Sequence, residues 1–89
     1  MAIIVNNKKN IVGVVSDGDI KRIMKNNNEV KNIMVKNVMT KKPLIVTQDL
    51  LAAEALAVME ENNINALPVV EKNKVIGILT IKNIIKSIN

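Results

Sequence analysis

The chain has 89 residues, a formal net charge of +5 and 48% hydrophobic residues, and it contains no aromatic residue, cysteine or histidine. A chain of this length holds one small domain, whose core must here be aliphatic. The composition excludes disulfides, thiolate or imidazole catalysis and zinc sites of the Cys/His kind. Because the lysines are dispersed and no aromatic ring is available for base stacking, nucleic-acid binding is not expected.

The sequence has neither the pattern of a membrane span nor that of a secretory signal. The longest apolar runs, such as residues 2–5 and 66–70, are far shorter than the ~20 residues that a span requires. The basic residues Lys8 and Lys9 follow the first apolar run instead of preceding it. We therefore expect a cytoplasmic chain without a membrane partner.

The chain begins with the pattern of a β-hairpin followed by a helix. Residues 2–5 and 11–15 are β-rich runs on either side of a polar turn. Ser16 is placed to cap the helix that follows. Asp17 and Asp19 then fall in the first turn, where carboxylates complement the helix dipole.

A connector, residues 26–43, joins this part to the rest of the chain. Met34, Val38 and Met39 are interpreted as core residues that pack a short helical turn of the connector against the sheet. That interpretation is preferred to a methionine ligand site because methionine commonly fills irregular gaps in cores.

After the connector, residues 44–46 predict a short strand and Thr47, with Asp49, predicts the N-cap of a long helix. The helix is expected to end at Asn62 and Asn63, since asparagine tolerates the left-handed conformation. Apolar residues recur at helical spacing and form one stripe along this helix. They are Ala52, Ala55, Leu56 and Met59.

The last part of the chain repeats the first. Residues 67–70 and 75–79 predict a second hairpin, and Thr80 is placed to cap a second helix. The two copies align at a constant spacing of 64 positions. The aligned pairs are Gly13 with Gly77, Ser16 with Thr80, and Asp19 with Asn83.

The repeat predicts a domain organisation with one complete unit. Residues 44–89 read as a β-α-β-β-α unit, whereas residues 1–25 read as a truncated copy without the leading strand and helix. Such a copy exposes the apolar surface that its helix would cover, and exposed patches of that kind commonly bind a partner. We therefore expect self-association to a homodimer or higher oligomer.

Each copy carries one pattern: two apolar residues, glycine, two apolar residues, serine or threonine, two variable residues, and then aspartate in the first copy and asparagine in the second. The pattern stands as IVGVVSDGD at residues 11–19 and as VIGILTIKN at residues 75–83. In this it resembles the CBS-domain family. The resemblance implies an α/β (α+β) fold of CBS-type β-α-β-β-α repeats and a non-catalytic, regulatory function.

A more specific resemblance lies in SDGDIKR at residues 16–22 and in the long run NVMTKKPLIVTQDLLAAEALAVMEENNINALPVVE at residues 37–71. Both are similar to the C-terminal CBS pair of bacterial arabinose-5-phosphate isomerases, enzymes of Kdo and lipopolysaccharide biosynthesis. In that family an upstream sugar-isomerase domain carries the activity, so no turnover is expected from this chain alone. Family members often carry histidines just after the last glycine, where this chain has Thr80 and Lys82.

The resemblance also implies a ligand site, at which serine or threonine holds phosphate and aspartate holds ribose. A hydroxyl at a helix start lies beside free N–H groups that suit a phosphate, and a carboxylate can accept two hydrogen bonds from a ribose diol. The alternative is that these residues only cap helices. The candidate residues are Ser16, Asp19, Val46, Thr47, Leu67, Pro68, Thr80, Lys82 and Asn83, with Ile45 as a further apolar wall and Lys21 and Arg22 as further phosphate neighbours.

Three functions remain open at this point. The first is the regulatory module of an arabinose-5-phosphate isomerase, with no required cofactor and with a regulatory nucleotide or a nucleotide sugar such as CMP-Kdo as its ligand. The second is a free-standing CBS protein that senses adenine nucleotides. The third is a structural dimerisation element that binds no ligand.

Overall fold

The computed structural model describes residues 1–26 and 32–88, which form two antiparallel hairpins with helices. This confirms the expected α+β fold. Contacts divide the chain into two compact units, Met1–Pro43 and Leu44–Asn89. The elements are β1 (Ala2–Val5), β2 (Ile11–Val15), α1 (Asp17–Asn26), α2 (Val35–Val38), α3 (Ala52–Glu61), β3 (Ala66–Glu71), β4 (Lys74–Thr80) and α4 (Ile81–Ile88). No helix within these described ranges is long and apolar enough to span a bilayer.

The hairpin of the first unit has the strands that the sequence predicts. β1 and β2 pair antiparallel, with Ile4 opposite Gly13, and a bulge follows between Ile4 and Val5. Asn6 organises the turn, because its side-chain Oδ1 accepts hydrogen bonds from the N–H groups of Lys8 (2.9 Å) and Asn10 (3.0 Å). An asparagine at a turn start commonly makes such local bonds.

A third segment pairs with the outer edge of β2. The Val14 N–H donates to the Thr40 carbonyl (3.1 Å), and the Thr40 N–H donates to the Val14 carbonyl (2.8 Å). Met39 lies on the glycine beside this bridge: a Cβ built on Gly13 would be 2.6 Å from the Met39 sulfur. The predicted packing of Met39 against the sheet is therefore confirmed.

The prediction is wrong for Met34, which is exposed. Met34 precedes α2 in an extended conformation and so does not share the packed side of the helical turn. The predicted connector, residues 26–43, includes residues 27–31, which lie outside the described residues.

The second hairpin repeats the first in register. β3 and β4 pair antiparallel, with Val69 opposite Gly77, and a bulge again follows, between Val69 and Val70. The connecting turn has two residues, Lys72 and Asn73, both with positive φ (50° and 66°). Two positive φ values match the type I′ turn, whose twist suits a two-residue hairpin.

The predicted strand 44–46 is reduced to one parallel bridge between Val46 and Val69. The Val46 N–H donates to the Pro68 carbonyl (3.0 Å), and the Val70 N–H donates to the Val46 carbonyl (2.8 Å). Proline is tolerated at position 68 because this pairing uses only its carbonyl, whereas a central ladder position would need an N–H.

Helix α3 begins at Ala52, so the prediction that Thr47 caps it is wrong. Leu51 occupies the N-cap position and makes no side-chain cap bond. The Thr47 hydroxyl instead donates to the Asp49 carboxylate, and the Leu50 N–H donates to the Thr47 carbonyl (3.2 Å). Local bonds of this kind compete with helix formation, and here they hold the chain in a turn ahead of the helix.

The predicted end of the helix at Asn62 and Asn63 is confirmed. Asn63 has a φ of 56°, and the Ile64 N–H donates to the Met59 carbonyl (3.0 Å). This six-to-one bond across a left-handed residue is the Schellman ending. It turns the chain from α3 directly into β3.

The core of the second unit lies where α3 contacts β3 and α4. Its residues are aliphatic, as the composition requires. Met59 and Leu67 are completely buried, and small Ala55 allows the helix to approach closely. The cluster consists of Val46, Ala55, Met59, Leu67 and Ile84.

The positions of the first unit that are equivalent to buried residues of the second unit are exposed to solvent. Val70, which follows the bulge in β3, is 4% exposed, whereas Val5, which follows the bulge in β1, is 44% exposed. Ile84 of α4 is 2% exposed, whereas Ile20 of α1, its partner in the repeat, is 42% exposed. In the second unit α3 packs against α4, and Ile84 belongs to the core cluster that they share. The expected exposure of apolar surface in the first copy is confirmed.

The two glycines of the repeat should respond differently to added side chains. Gly13→Ala should lower the free energy of unfolding by about 1–3 kcal/mol, because its Cβ meets Met39 and the Thr40 carbonyl. Gly77→Ala is the matched variant and should cost nothing, since no atom lies within 4 Å of its Cβ position and glycine weakens a strand. Urea unfolding followed by circular dichroism measures both. Equal losses in the two variants would contradict this packing.

Candidate functional site

Both copies place a hydroxyl at the start of their last helix. The Asp19 N–H donates to Ser16 Oγ (3.1 Å), and the Asn83 N–H donates to Thr80 Oγ1 (3.1 Å). These are N-cap bonds, as the sequence predicts for Ser16 and Thr80. Each hydroxyl lies where a strand passes into a helix, so the edge of the sheet and the helix start are adjacent in both units.

In the first unit the cap is reciprocal. The Ser16 N–H donates to Asp19 Oδ2 (2.8 Å), which closes a capping box. The Arg22 guanidinium donates to the other carboxylate oxygen, Oδ1. Both oxygens of this buried carboxylate are therefore engaged by the protein. A ribose diol would have to displace one of these partners.

These contacts also set the ionisation of Asp19. The pKa of its carboxyl lies below the ordinary value of 3.8, chiefly because the Ser16 N–H donates to the ionised form. Burial acts in the opposite direction, and the Ser16 hydroxyl and the Arg22 guanidinium reinforce the lowering. Asp19 is thus a carboxylate that stabilises α1 in its charged form.

A small cavity of about 200 Å³ opens beside this carboxylate. Ligand pockets for drug-sized molecules occupy ~300–1,000 Å³, so this cavity is too small to enclose a nucleotide. Its lining combines the ion pair with residues from α1 and α2: Asp19, Arg22, Ile23, Asn26 and Val38.

In the second unit the helix start is more accessible. Thr80 is half-buried, whereas Lys82 and Asn83 are exposed on the first turn of α4. The Ile81 N–H is already used, because it donates to the Asn65 carbonyl (3.1 Å). The polar groups that face solvent here are therefore a hydroxyl, an ammonium and an amide.

The apolar residues predicted as walls of this site are largely internal. Leu67 and Val46 belong to the core cluster, and Pro68 is also completely buried. Ile45 and Leu44, which precede the bridge, are the exposed apolar side chains at this point of the chain. A sequence pattern for a short strand does not reveal which of its residues faces the core.

The candidate residues of the second unit form two groups. Thr80 lies opposite Ala66 of β3, whereas Val46 lies beside Val69. These levels are three positions apart along β3, about 10 Å at ~3.3 Å per residue. Thr47, which follows Val46, is exposed and bonded to Asp49. Across the described ranges, no group of three or more acidic, cysteine or histidine side chains lies close enough together to hold a metal ion.

Comparison with known proteins identifies the class to which this arrangement belongs. The CBS domain model matches residues 35–89, which is more than half of the chain. The chain therefore belongs to the CBS domain family, as the repeated motif indicates.

Curated relatives carry the same region within much longer chains. Inosine-5'-monophosphate dehydrogenase of Methanocaldococcus jannaschii is 37% identical over 84 residues, 93% of this chain and 16% of the relative. Arabinose 5-phosphate isomerase of Pseudomonas aeruginosa is 31% identical over 88 residues, 98% of this chain and 27% of the relative. The resemblance to the isomerase is thus shared with a different enzyme, and the chain spans about a sixth of the dehydrogenase and about a quarter of the isomerase.

A solved structure extends the comparison to three dimensions. CBSX2 in complex with AMP is 30% identical and superposes with a TM-score of 0.82, covering 97% of this chain and 68% of that chain. The match in fold therefore covers nearly all of this chain and about two thirds of the other.

The lowered pKa of Asp19 predicts how stability depends on pH. Because the folded-state pKa is depressed, the stabilisation is present above the unfolded value of about 3.8 and is lost as pH falls through the folded pKa. In Asp19→Asn the free energy of unfolding should therefore fall less steeply below this pH than in the wild type. Asp49, whose pKa is also lowered, remains in both proteins and cancels in the comparison.

Urea unfolding at a series of pH values from neutral to about 2 measures this difference. Asp17→Asn removes a carboxylate from the same helical turn without touching the capping box, and it is the matched control. If the free energy of unfolding depends on pH in the same way in the wild type and in Asp19→Asn, the capping box does not contribute to the pH dependence of stability.

Proposed function

We propose that this chain is a non-catalytic regulatory module that binds an adenine nucleotide at the start of α4. The observation that carries the proposal is the Thr80 hydroxyl at a helix start, with Lys82 and Asn83 exposed beside it. The Ile81 and Asn83 N–H groups are already engaged, so a phosphate there is stabilised by the Thr80 hydroxyl, the dipole of the helix and the Lys82 ammonium. The likeness to CBSX2, whose structure contains AMP, supports this choice of ligand.

The second copy is preferred to the first because of what its polar groups already do. The Asp19 carboxylate is committed to Ser16 and Arg22, whereas the Asn83 side chain is exposed. Asparagine has a drawback, since hydrogen bonds to a charged acceptor contribute about 1.5–3 kcal/mol and neutral ones about 0.5–1.5. The accessible site is therefore the one with the weaker ribose acceptor.

Restoring a carboxylate in the accessible site should strengthen AMP binding. Asn83→Asp should lower the dissociation constant by about tenfold, which corresponds to ~1.4 kcal/mol. Thr80→Val should raise it, because the phosphate loses a hydroxyl partner. Titration calorimetry of the wild type and both variants measures these changes, with Asp19→Asn as the control in the other copy. If the affinity for AMP is unchanged in Asn83→Asp and lost in Asp19→Asn, the site belongs to the first copy.

The same titration with ATP and CMP-Kdo separates the wider alternatives. We propose that the module regulates a sugar-phosphate isomerase, arabinose-5-phosphate isomerase of Kdo biosynthesis, supported by the likeness over 98% of this chain. Binding of CMP-Kdo favours that proposal, whereas binding of AMP or ATP alone favours a free-standing nucleotide sensor. If none of the three ligands binds, the remaining function is that of a structural dimerisation element that binds no ligand.

We also propose that the module self-associates through the open apolar face of the first unit. Val5, Ile20 and Met24 are exposed there, and the positions equivalent to the first two are buried in the second unit. Burying such a face against a second copy removes apolar area from water, worth about 25 cal/mol per Å². The chain has no disulfide to compensate for its small core.

A charge placed on this face should dissociate the oligomer. The wild type is expected to scatter light as a dimer or larger species at micromolar concentration, and Ile20→Glu should shift it to monomer because the carboxylate resists burial. Ile85→Glu places the same charge on an exposed isoleucine of α4 and is the matched control. A monomeric wild type would refute self-association, and dissociation by Ile85→Glu alone would move the interface to α4.

A further inference from the structure

The ion pair between Asp19 and Arg22 distinguishes the two copies of the repeat. The Arg22 guanidinium donates to Asp19 Oδ1 across one turn of α1. The second copy has Asn83 and Lys86 at the corresponding positions, 64 residues further along the chain, and both are exposed. An amide carries no charge and so cannot form an ion pair with the ammonium. The first copy therefore engages a side chain that the second copy leaves in solvent.

The two partners of the Asp19 carboxylate differ in how readily they can leave it. The Ser16 N–H belongs to the backbone at the start of α1, so it cannot withdraw unless the helix start opens. The Arg22 side chain is 69% exposed, and its long stem has several rotatable bonds. The guanidinium can therefore turn into solvent without disturbing the core, and Asp19 Oδ1 is the atom that can change its partner.

A cavity lies at this exchangeable contact. Its volume is about 200 Å³, and both Asp19 and Arg22 line it, together with Ile23, Asn26 and Val38. Because Arg22 forms part of the wall, an outward turn of the guanidinium leaves the carboxylate at a wider opening. Each carboxylate oxygen has two lone pairs, so the freed group can accept from both hydroxyls of a ribose diol while it keeps its backbone partner.

We propose that Arg22 is an internal competitor that closes the first copy to ribose-bearing ligands. The proposal rests on the proposed function, because the excluded ligand is the nucleotide assigned to the start of α4. The guanidinium already satisfies Asp19 Oδ1, so a ribose diol gains a bond there only by breaking a charge-assisted one. In this position the guanidinium is not free for the phosphate contact that the sequence suggested. Arg22 thus determines which copy of the repeat is accessible.

The residue type at position 22 matters because arginine and lysine bind carboxylates differently. A guanidinium presents donors in a rigid plane that matches a carboxylate, whereas an ammonium is a strongly hydrated point charge. Lys86, at the corresponding position of α4, should therefore compete weakly with a ligand even if residue 83 carried a carboxylate. The two copies provide matched backgrounds in which the competitor can be removed or installed.

Removal of the competitor should open a second site for AMP. Arg22→Met keeps an unbranched side chain at an exposed position but lacks the guanidinium. Titration calorimetry should give one site per chain in the wild type. In Arg22→Met it should give a second site that binds at least about tenfold more tightly than any second site of the wild type. The second site should disappear in Arg22→Met/Asp19→Asn. Lys25→Met removes the same charge from an exposed position in the last turn of α1 and should leave the number of sites unchanged.

Installation of the competitor in the second copy is the reverse test. Asn83→Asp/Lys86→Arg reproduces the residue pair of the first copy in α4, and it should cancel most of the tenfold gain in AMP affinity expected for Asn83→Asp alone. Lys86→Arg alone should change the affinity little, because residue 83 then has no carboxylate to engage. The interaction between the two substitutions follows from the four affinities. This comparison does not depend on the folding of any Arg22 variant.

The ion pair can also be measured without nucleotide. The guanidinium ¹⁵N resonances of Arg22 should show restricted rotation in the wild type and free rotation in Asp19→Asn. Free rotation in both proteins would overturn the proposal, since the guanidinium would then not hold the carboxylate.

The number of AMP sites separates failure of this proposal from failure of the proposed function. One site in both the wild type and Arg22→Met would overturn the competitor and leave the site at α4 in place. No site in the wild type and one in Arg22→Met would support the competitor and refute the site at α4. Two sites in the wild type would show that Arg22 does not close the first copy. Absence of binding to either protein would overturn both proposals.

Discussion

An isolated two-stranded hairpin is marginally stable in water, and each hairpin of this chain depends on a third segment bonded to its edge. In the first unit Thr40 exchanges two hydrogen bonds with Val14 of β2, and in the second Val46 bridges Pro68 and Val70 of β3. These bridges hold further apolar side chains against the sheet, Met39 in one unit and those of α3 in the other. The third segment therefore pairs with the second strand of the hairpin in the first unit and with the first strand of the hairpin in the second unit.

Sequence reasoning succeeded where the signal is local. The strands of the first hairpin, the hydroxyl caps at Ser16 and Thr80 and the helix end at Asn63 each follow from a few adjacent residues. It failed at Thr47, since a cap depends on where the helix starts, and the bond to Asp49 favours a turn instead. It also could not distinguish buried Leu67 from exposed Ile45, because that difference depends on how α3 packs on the sheet.

The two copies of the motif use their polar groups differently. With aspartate, the motif closes a capping box and recruits Arg22, so the first copy gains helix stability and loses an accessible acceptor. With asparagine, the second copy retains the cap from Thr80 while its amide stays exposed. The amide cannot be ionised, so it accepts hydrogen bonds less strongly than a carboxylate. Accessibility and acceptor strength are therefore divided between the two copies.

The same division applies to the surfaces that each unit leaves open. The first unit has a covered β2 edge and an exposed apolar face at Val5 and Ile20, whereas the second has a covered face and an open edge at Ile78. An apolar face offers area without direction and so accepts many partners. An open strand edge demands matched backbone groups. The two surfaces therefore differ in the physical basis on which each could recognise a partner, apolar area in the first unit and backbone hydrogen bonds in the second.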